Sequence, residues 1–488
     1  MRVNKKRASL YLLPALFGMS MLSSPAPAQV RAFVGGTIID GNGGQPVPNG
    51  VLVVDGKTIK AIGASNKVSV PSDAERIDVS GKFLMPGLMD ANVHLIPWPS
   101  WTYIEFLARY EDELDLIAEE GAQLALKNGV TTVFDSMGAA DALILARDRI
   151  DRGESEGARI FVASNIVGFR AVFTTMESIK SASKAFQARI NSRFELNGGP
   201  DLTQKSPEQI YEEMRKYAAQ VDFVKYGATG DGEQVNSEIG QGNILRFSPE
   251  QQRALVKAVH DAGKISQTHQ GSAESLHIAV EVGNDMAQHC AHTGESRIYE
   301  ATIQLMVERH FYCGTQWGPL NEDEKRQVRE GRFVSGDYDL ENSIRLIKAG
   351  VPQLLSTDSG TIDPDVAKDF GPEGPWGGLG GRNAVIGEAQ FINMQAMQDR
   401  GMTPMMILQA ATRNIAGAYK KLDTLGTLEP GKFADLLVLD ANPLADIANM
   451  RKISIVVKEG KTIDRDSLPR RPILTSQEAM NPGPIRTK

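Results

Sequence analysis

The residues best placed to do chemistry in this chain are Asn92 and His94 in LMDANVHL, Lys225 in DFVKYGATG, His269 in KISQTHQGS, His289 in GNDMAQHC and Asp358 in QLLSTDSGT. Each lies at the end of a short apolar run that reads as a buried strand. Alternate side chains on a strand share a face, so positions 92 and 94 point the same way, where two imidazoles would grip one cation. An asparagine amide is neutral and weakly basic, a poor ligand in place of an imidazole nitrogen. Alone, the pair also suits an ordinary strand end with a hydrogen-bonded Asn and a satisfied His. Lys225 is harder to explain structurally, because an ammonium at the end of an apolar strand loses its hydration unless it is neutralised or paired. Imidazoles and a carboxylate at successive strand ends are residue types that can hold a divalent cation, which in turn can activate water.

The run PGLMDANVHL, residues 86–95, resembles the Pro-Gly-x-x-Asp-x-His-x-His run that ends the first barrel strand in amidohydrolases, with Asn92 where the first His belongs. Lys225, His269, His289 and Asp358 follow in the order of that superfamily's ligands, and GTLEPGKFADLLVLD is similar to one of its most recognisable strings. The spacing from Gly283 to His289, with Asp285 between, is similar to the imidazolonepropionase- and prolidase-like branch. Asn in place of His resembles the arrangement in phenylurea and molinate hydrolases.

This resemblance implies a set of roles. Lys225 would be carboxylated by carbon dioxide, and with His269 and His289 would hold the more exposed divalent metal, expected to be zinc. His94, Asp358 and the same carbamate would hold a buried metal, with Asn92 as a weak or absent ligand, so one site is strong and the other weak. Asp358 would move protons while the metal activates water and polarises a carbonyl.

The elements that must position these groups repeat as strand, turn and amphipathic helix from about Gly129 to Asp358. VTTVFDS, ARIFVASNIV, VDFVKYG, KISQTHQ, DMAQHC, HFYCGTQW and PQLLSTD read as strands, following FLMPGLMDANVH as the first. Ser206-Pro207-Glu208-Gln209 and Ser248-Pro249-Glu250-Gln251 match a capping box with proline at the first helical position, and Thr403-Pro404 opens a helix likewise. Gly263 and Gly350 fall where helices stop. The pattern predicts an α/β fold, a (β/α)8 TIM-like barrel with its site at the C-terminal strand ends. β-Rich segments at both chain ends are expected to combine into a small β-sandwich, as the resemblance implies. The expected organisation is a leader over 1–28, sandwich over 29–84 and 423–467, barrel over 85–422 and an extended tail over 468–488. Two segments stand apart: the long stretch 168–220, expected to add helices around the mouth, and the Gly- and Pro-rich 369–383, either a mobile lid or a simple surface loop.

The first residues read as a signal peptide: Arg2, Lys5, Lys6 and Arg7, an apolar stretch from Leu10 to Leu22, and Ala26-Pro27-Ala28 as a cleavage site. The apolar stretch is too short and too broken by Pro14 to span a bilayer comfortably, so a periplasmic or secreted protein is expected. With 53 Lys and Arg against 60 Asp and Glu, net −7, the chain is acidic, more so once the basic leader is removed. Such a surface disfavours nucleic acid and anionic membranes as partners; a small-molecule substrate and a homo-oligomer are expected. Only Cys290 and Cys313 are present, so this is no disulfide scaffold, and two buried thiols are expected rather than a bridge.

Trp98, Trp101, Trp317 and Trp376 all follow barrel strands, and Tyr226 follows Lys225. Aromatics there would line a pocket for a flat or apolar group, or simply pack between loops. Arg170 would bind a substrate carboxylate, or sit on the surface. His260, His277, His292 and His310 read as structural. The favoured function is metal-dependent hydrolysis of a C–N bond in an amide, carbamate or urea carrying an apolar or aromatic group. The rivals are a peptidase or deacylase of Xaa-Pro or N-acyl amino acids, for which Arg170 discriminates, and a degenerate barrel that only binds a ligand.

Overall fold

Short runs of alternating apolar residues at both chain ends pair into one sheet. In the computed structural model, which describes residues 30–96, 110–164, 166–168, 183–185, 188, 202–229, 245–294, 296–334, 338–361 and 385–475, the N-terminal strands are β1 (Val30–Ile38), β2 (Val47–Asp55), β3 (Thr58–Ala64), β4 (Glu75–Asp78) and β5 (Phe83–Pro86). The last three strands are β15 (Leu436–Leu439), β16 (Ile453–Lys458) and β17 (Lys461–Thr462). Together they form an eight-stranded sheet in the order β17-β16-β15-β5-β1-β2-β3, with β4 paired to β1. The alternation sorts side chains by face: Phe33, Leu52, Val54, Leu84, Leu436 and Val438 share one cluster, while Met85, Leu437 and Leu439 turn into the main core.

The chain leaves this sheet at Gly87. The sequence reading takes 83–94 as one strand; the structure divides it into β5 and β6 (Leu88–His94), which belong to different sheets. A side chain at Gly87 would place its Cβ 2.3 Å from Thr131 Oγ1, so only glycine permits this close crossing.

Between the two ends lie two parallel sheets. One has the order β14-β6-β7-β8, with β7 (Val130–Asp135), β8 (Arg159–Val162) and β14 (Ser359–Gly360). The other has the order β13-β12-β11-β10-β9, with β9 (Val224–Gly227), β10 (Ser266–His269), β11 (Met286–Gln288), β12 (Tyr312–Thr315) and β13 (Gln353–Leu355). Two backbone bonds link the sheets beyond β8: Val167 N donates to Lys225 O and Gly227 N to Val167 O, each at 2.9 Å. On the other side β13 leads within a few residues into β14, which pairs with β6. Helices connect the strands, among them Leu114–Lys127, Ala140–Asp151, Pro207–Ala218, Pro249–Asp261 and Ala273–Glu281.

The local signals for these helices act as expected. Ser206 and Ser248 form full capping boxes with Gln209 and Gln251, Thr403 caps the helix Pro404–Ala410, and Gly263 and Gly350 take left-handed φ of 72° and 81° just past helix ends. An ion network centred on buried Arg159 ties the first parallel sheet to the eight-stranded one, which mixes parallel and antiparallel pairs: Arg159 on β8 meets buried Asp435 at 2.6 Å and half-buried Glu459 at 2.9 Å. The start of the tail is docked, too. Buried Glu120 accepts from the backbone N–H groups of Ile473, Leu474 and Thr475. Cys290 and Cys313 are buried, unbridged thiols, as expected. Among the described residues no helix is long and apolar enough to cross a membrane.

Candidate active site

Asn92 and His94 lie on one face of β6, both buried, as the period of two requires. Asp358 and His289 sit just beyond β13 and β11, and both adopt left-handed backbones, with φ of 57° and 56°. For a residue with a Cβ this costs on the order of 1–3 kcal/mol, and surrounding bonds hold it in place. Before Asp358, Thr357 N and Oγ1 donate to the buried carboxylate of Asp90 at 3.1 and 2.6 Å. Asp358 N then donates to Asn92 O at 2.8 Å. For His289, the carbonyl accepts from Gln270 Nε2 at 2.7 Å and from His292 N at 2.8 Å. The turned backbone aims each side chain away from the direction that strand alternation alone would give.

Asp358 is the hub. Its Oδ1 accepts from Asn92 Nδ2 at 2.7 Å and is 2.8 Å from His94 Nε2; its Oδ2 accepts from Gln316 Nε2 at 2.9 Å. Asn92 in turn accepts at Oδ1 from Ser136 Oγ and from Lys225 Nζ, the latter at 3.3 Å, and Lys225 Nζ is also 3.1 Å from Ser136 Oγ. Asn92, His94, Lys225 and Asp358, predicted from three separate runs, therefore share one hydrogen-bonded network. Asn92 serves here as a bridge between the lysine and the aspartate. Sequence reasoning missed Ser136 and Gln316, although each carries the signal used for the others, a polar residue just past an apolar strand.

Electrostatics follow from burial and from this network. Burial alone would raise the Asp358 carboxyl, but His94 beside it, with His289 and Lys225, holds it well below the usual carboxylate range. Burial lowers the basicity of His94 and pushes that of His289 down strongly; His269 and Lys225 lower His289 further. Neutral imidazoles and an ionised carboxylate are the protonation states a cation requires of its ligands. Among the described residues no three His, Cys, Asp or Glu side chains are drawn together as a ready-made metal cage. The donors stand instead as two pairs, His94 with Asp358 and His269 with His289, the last two with ring centroids 5.2 Å apart. His289 Nδ1 is buried without a hydrogen-bond partner. A buried nitrogen left in that state is a costly feature that a bound cation would relieve, so the donor chemistry fits a divalent ion.

Other expected site residues lie elsewhere. Tyr226 is fully buried on the opposite face of β9 from Lys225, its ring edge-on to Phe247 and its hydroxyl 3.2 Å from Gln252 Oε1. The expectation that it lines the mouth is corrected by strand alternation: a neighbour in sequence points the other way. Trp317 follows Gln316 and is buried with the Arg400 guanidinium 4.9 Å from its ring centroid, which places it beside the site as a packed ring. Trp98, Trp101, Arg170, Trp376 and the segment 369–383 lie outside the described residues. His260 pairs with Asp285 at 2.7 Å and His277 with Thr302 at 2.9 Å, consistent with structural roles; His292, 3.3 Å from Asp339, lies next to the site, its ring 6.0 Å from that of His289.

Comparison with known proteins places this geometry in a family. Residues 83–463 match the model of the amidohydrolase family. The structure of molinate hydrolase is 37% identical, with a TM-score of 0.82, covering 92% of this chain and 98% of that one. Phenylurea hydrolase B is 33% identical, with a TM-score of 0.83, over 92% of this chain and 100% of its own. Ochratoxinase of Aspergillus niger is 25% identical over 88% of this chain and 84% of its own length. The match of the family model across both parallel sheets and strands β5 and β15–β17 of the eight-stranded sheet, joined to the Lys225, His and Asp358 geometry, shows that this chain belongs to the amidohydrolase family and is a hydrolase.

Proposed function

We propose that the protein hydrolyses a C–N bond in a small amide, carbamate or urea that carries an apolar or aromatic group, with the aid of one tightly held divalent metal, zinc by preference. The observation that carries this reading is the convergence of Lys225, Asn92, His94 and Asp358 in one buried network, in a chain more than 30% identical to molinate and phenylurea hydrolases along nearly its whole length. His269, His289 and Lys225, the last carboxylated by carbon dioxide, would hold the ion. His94 and Asp358 would form a second, weaker position that Asn92 fails to complete, since its amide is already committed to Ser136, Lys225 and Asp358. When bound, the cation supplies polarisation of the scissile carbonyl and acidification of water.

The chain's own residues do the rest. Asp358 accepts a proton from the attacking water and delivers it to the leaving nitrogen. Burial of the network keeps bulk water from competing for those hydrogen bonds. Trp98, Trp101 and Trp317 are proposed to border the substrate's apolar group, with Arg170 as the residue that would favour a carboxylate-bearing substrate. We further infer that the two parallel sheets close into one eight-stranded barrel, supported by the Val167 bonds to Lys225 and Gly227 and by the pairing of β14 with β6, and that the mixed sheet folds on itself as a small sandwich around Phe33, Leu52 and Val438. Export through the leader 1–28 to the periplasm or medium, and assembly as a homo-oligomer, belong to the same proposal.

Metal analysis of protein purified without chelator, alongside an assay on phenylureas, aryl amides and N-acyl amino acids, tests it. About one metal per chain and turnover of the ureas or aryl amides are expected. A metal-free protein with undiminished activity would overturn the metal assignment, and turnover confined to N-acyl amino acids would overturn the substrate class.

A further inference from the structure

We propose that Gln316 and Asn92 are positioning residues that leave Asp358 one proton-accepting oxygen, Oδ2. The inference rests on the hydrolytic reading above, in which Asp358 moves the proton. A carboxylate oxygen offers two lone pairs. On Oδ1 both are taken, by His94 Nε2 at 2.8 Å and Asn92 Nδ2 at 2.7 Å. Oδ2 accepts from Gln316 Nε2 at 2.9 Å, and among the described residues no second donor meets it, so its other lone pair is available.

The orientation of the Asn92 amide is forced by its neighbours. Lys225 Nζ donates to Ser136 Oγ at 3.1 Å, which leaves the serine proton for Asn92 Oδ1, and Lys225 donates to that same oxygen at 3.3 Å. Turning the amide over would set its N–H groups against those donors and take them from Asp358, so only one orientation satisfies every partner. A carboxylated Lys225 keeps one N–H on Nζ, so one link of this chain survives carboxylation. Gln316 then fixes the remaining freedom. It is buried on the segment that follows β12, and its bond to Oδ2 opposes rotation of the carboxylate about Cβ–Cγ.

Proton transfer uses the open position. The O–H bond of the attacking water breaks as an Oδ2–H bond forms, while the water oxygen bonds to the carbonyl carbon and the C=O π pair moves onto the carbonyl oxygen; the C=O bond then re-forms as the C–N bond breaks and the same proton passes from Oδ2 to the leaving nitrogen. Asp358 ends ionised, and no other reactant is consumed. Without the Gln316 donor the carboxylate swings, and a misplacement of about 1 Å costs on the order of a hundredfold in rate.

The test uses the full chain with Gln316→Met, similar in length but without an N–H, and Gln316→His, which restores a ring N–H. Expected for Gln316→Met is a kcat about tenfold to a hundredfold below wild type, with KM within about twofold and unchanged metal content. Gln316→His should recover a good part of kcat. A Met variant within about twofold of wild-type kcat would overturn the proposal, as would a loss that tracks metal content or that the His variant fails to relieve. Asp358→Asn run in parallel separates two failures: if it loses activity while Gln316→Met does not, the positioning role alone is wrong; if it stays active, the hydrolytic reading falls with it. A crystal structure of Gln316→Met serves independently of any substrate, because an Asp358 carboxylate unmoved from its wild-type pose would also overturn the role of Gln316.

Discussion

Replacing Asp358 by Asn removes a charge and almost no volume, so the structure allows its effects on rate and on stability to be separated. The carboxylate receives side-chain contacts from His94, Asn92 and Gln316. An asparagine keeps a carbonyl oxygen toward His94 and Asn92 if its NH2 takes the place of Oδ2, and Gln316 need only turn its amide to accept. Hydrogen bonds to a charged group contribute about 1.5–3 kcal/mol and neutral ones about 0.5–1.5 kcal/mol. Weakening of three bonds is partly offset because a buried charge is no longer desolvated. The net loss of stability is expected near 2 kcal/mol, a decrease of roughly 2 °C in Tm for a chain of this length. The rate should fall further: loss of the proton-moving group costs about a hundredfold or more, equivalent to about 2.7 kcal/mol of barrier. The assay is kcat on a phenylurea or aryl amide together with metal content by atomic emission and a thermal melt. Activity within about threefold of wild type would refute the proton-transfer role. Loss of the metal along with activity would show that Asp358 is chiefly a ligand and that the second metal position is better formed than Asn92 implies.

Four further outcomes are expected. Wild-type protein should hold closer to one metal per chain than two, and elemental analysis giving two tightly bound ions would contradict the role assigned to Asn92; His269→Ala and His289→Ala should each abolish metal binding and activity together. Lys225→Ala should be inactive and partly rescued by short carboxylic acids, while intact-mass or crystallographic evidence of an unmodified lysine beside a bound metal would rule out carboxylation. Arg159→Met should destabilise the fold by about 3 kcal/mol in a denaturant titration, because buried Asp435 loses its ion-pair partner, while half-buried Glu459 keeps Lys57 at 2.6 Å; an unchanged midpoint would show that the network contributes nothing net. Gly87→Ala should also destabilise, since its Cβ would lie 2.3 Å from Thr131 Oγ1, and an unaltered melting temperature would mean that the crossing between sheets relaxes freely.

Much of this protein is written locally in its sequence. Apolar runs that stop at a polar residue point to His269, His289 and Asp358 at or just past strand ends, because burying such groups along a strand is costly; Lys225 instead sits inside β9, one residue from its start. Helix starts at Ser206 and Ser248 were equally legible, since a capping box lies within four consecutive residues. Tyr226 shows the limit of reading by proximity: it adjoins Lys225 in the chain, yet the pleat turns it to the far side of β9. Other features belong to tertiary structure alone. The left-handed backbones of His289 and Asp358 are imposed by bonds from Gln270, Asp90 and Asn92, not by the residue types themselves. The role of Asn92 is the sharpest case. The resemblance to the amidohydrolase run implies a missing ligand at this position, whereas its contacts with Ser136, Lys225 and Asp358 make it a bridge. Those partners come from the residue after β7, from β9 and from the turn after β13, and a hydrogen bond between residues so distant in the chain leaves no periodicity or spacing for a sequence to display; only the packing of the strands decides it.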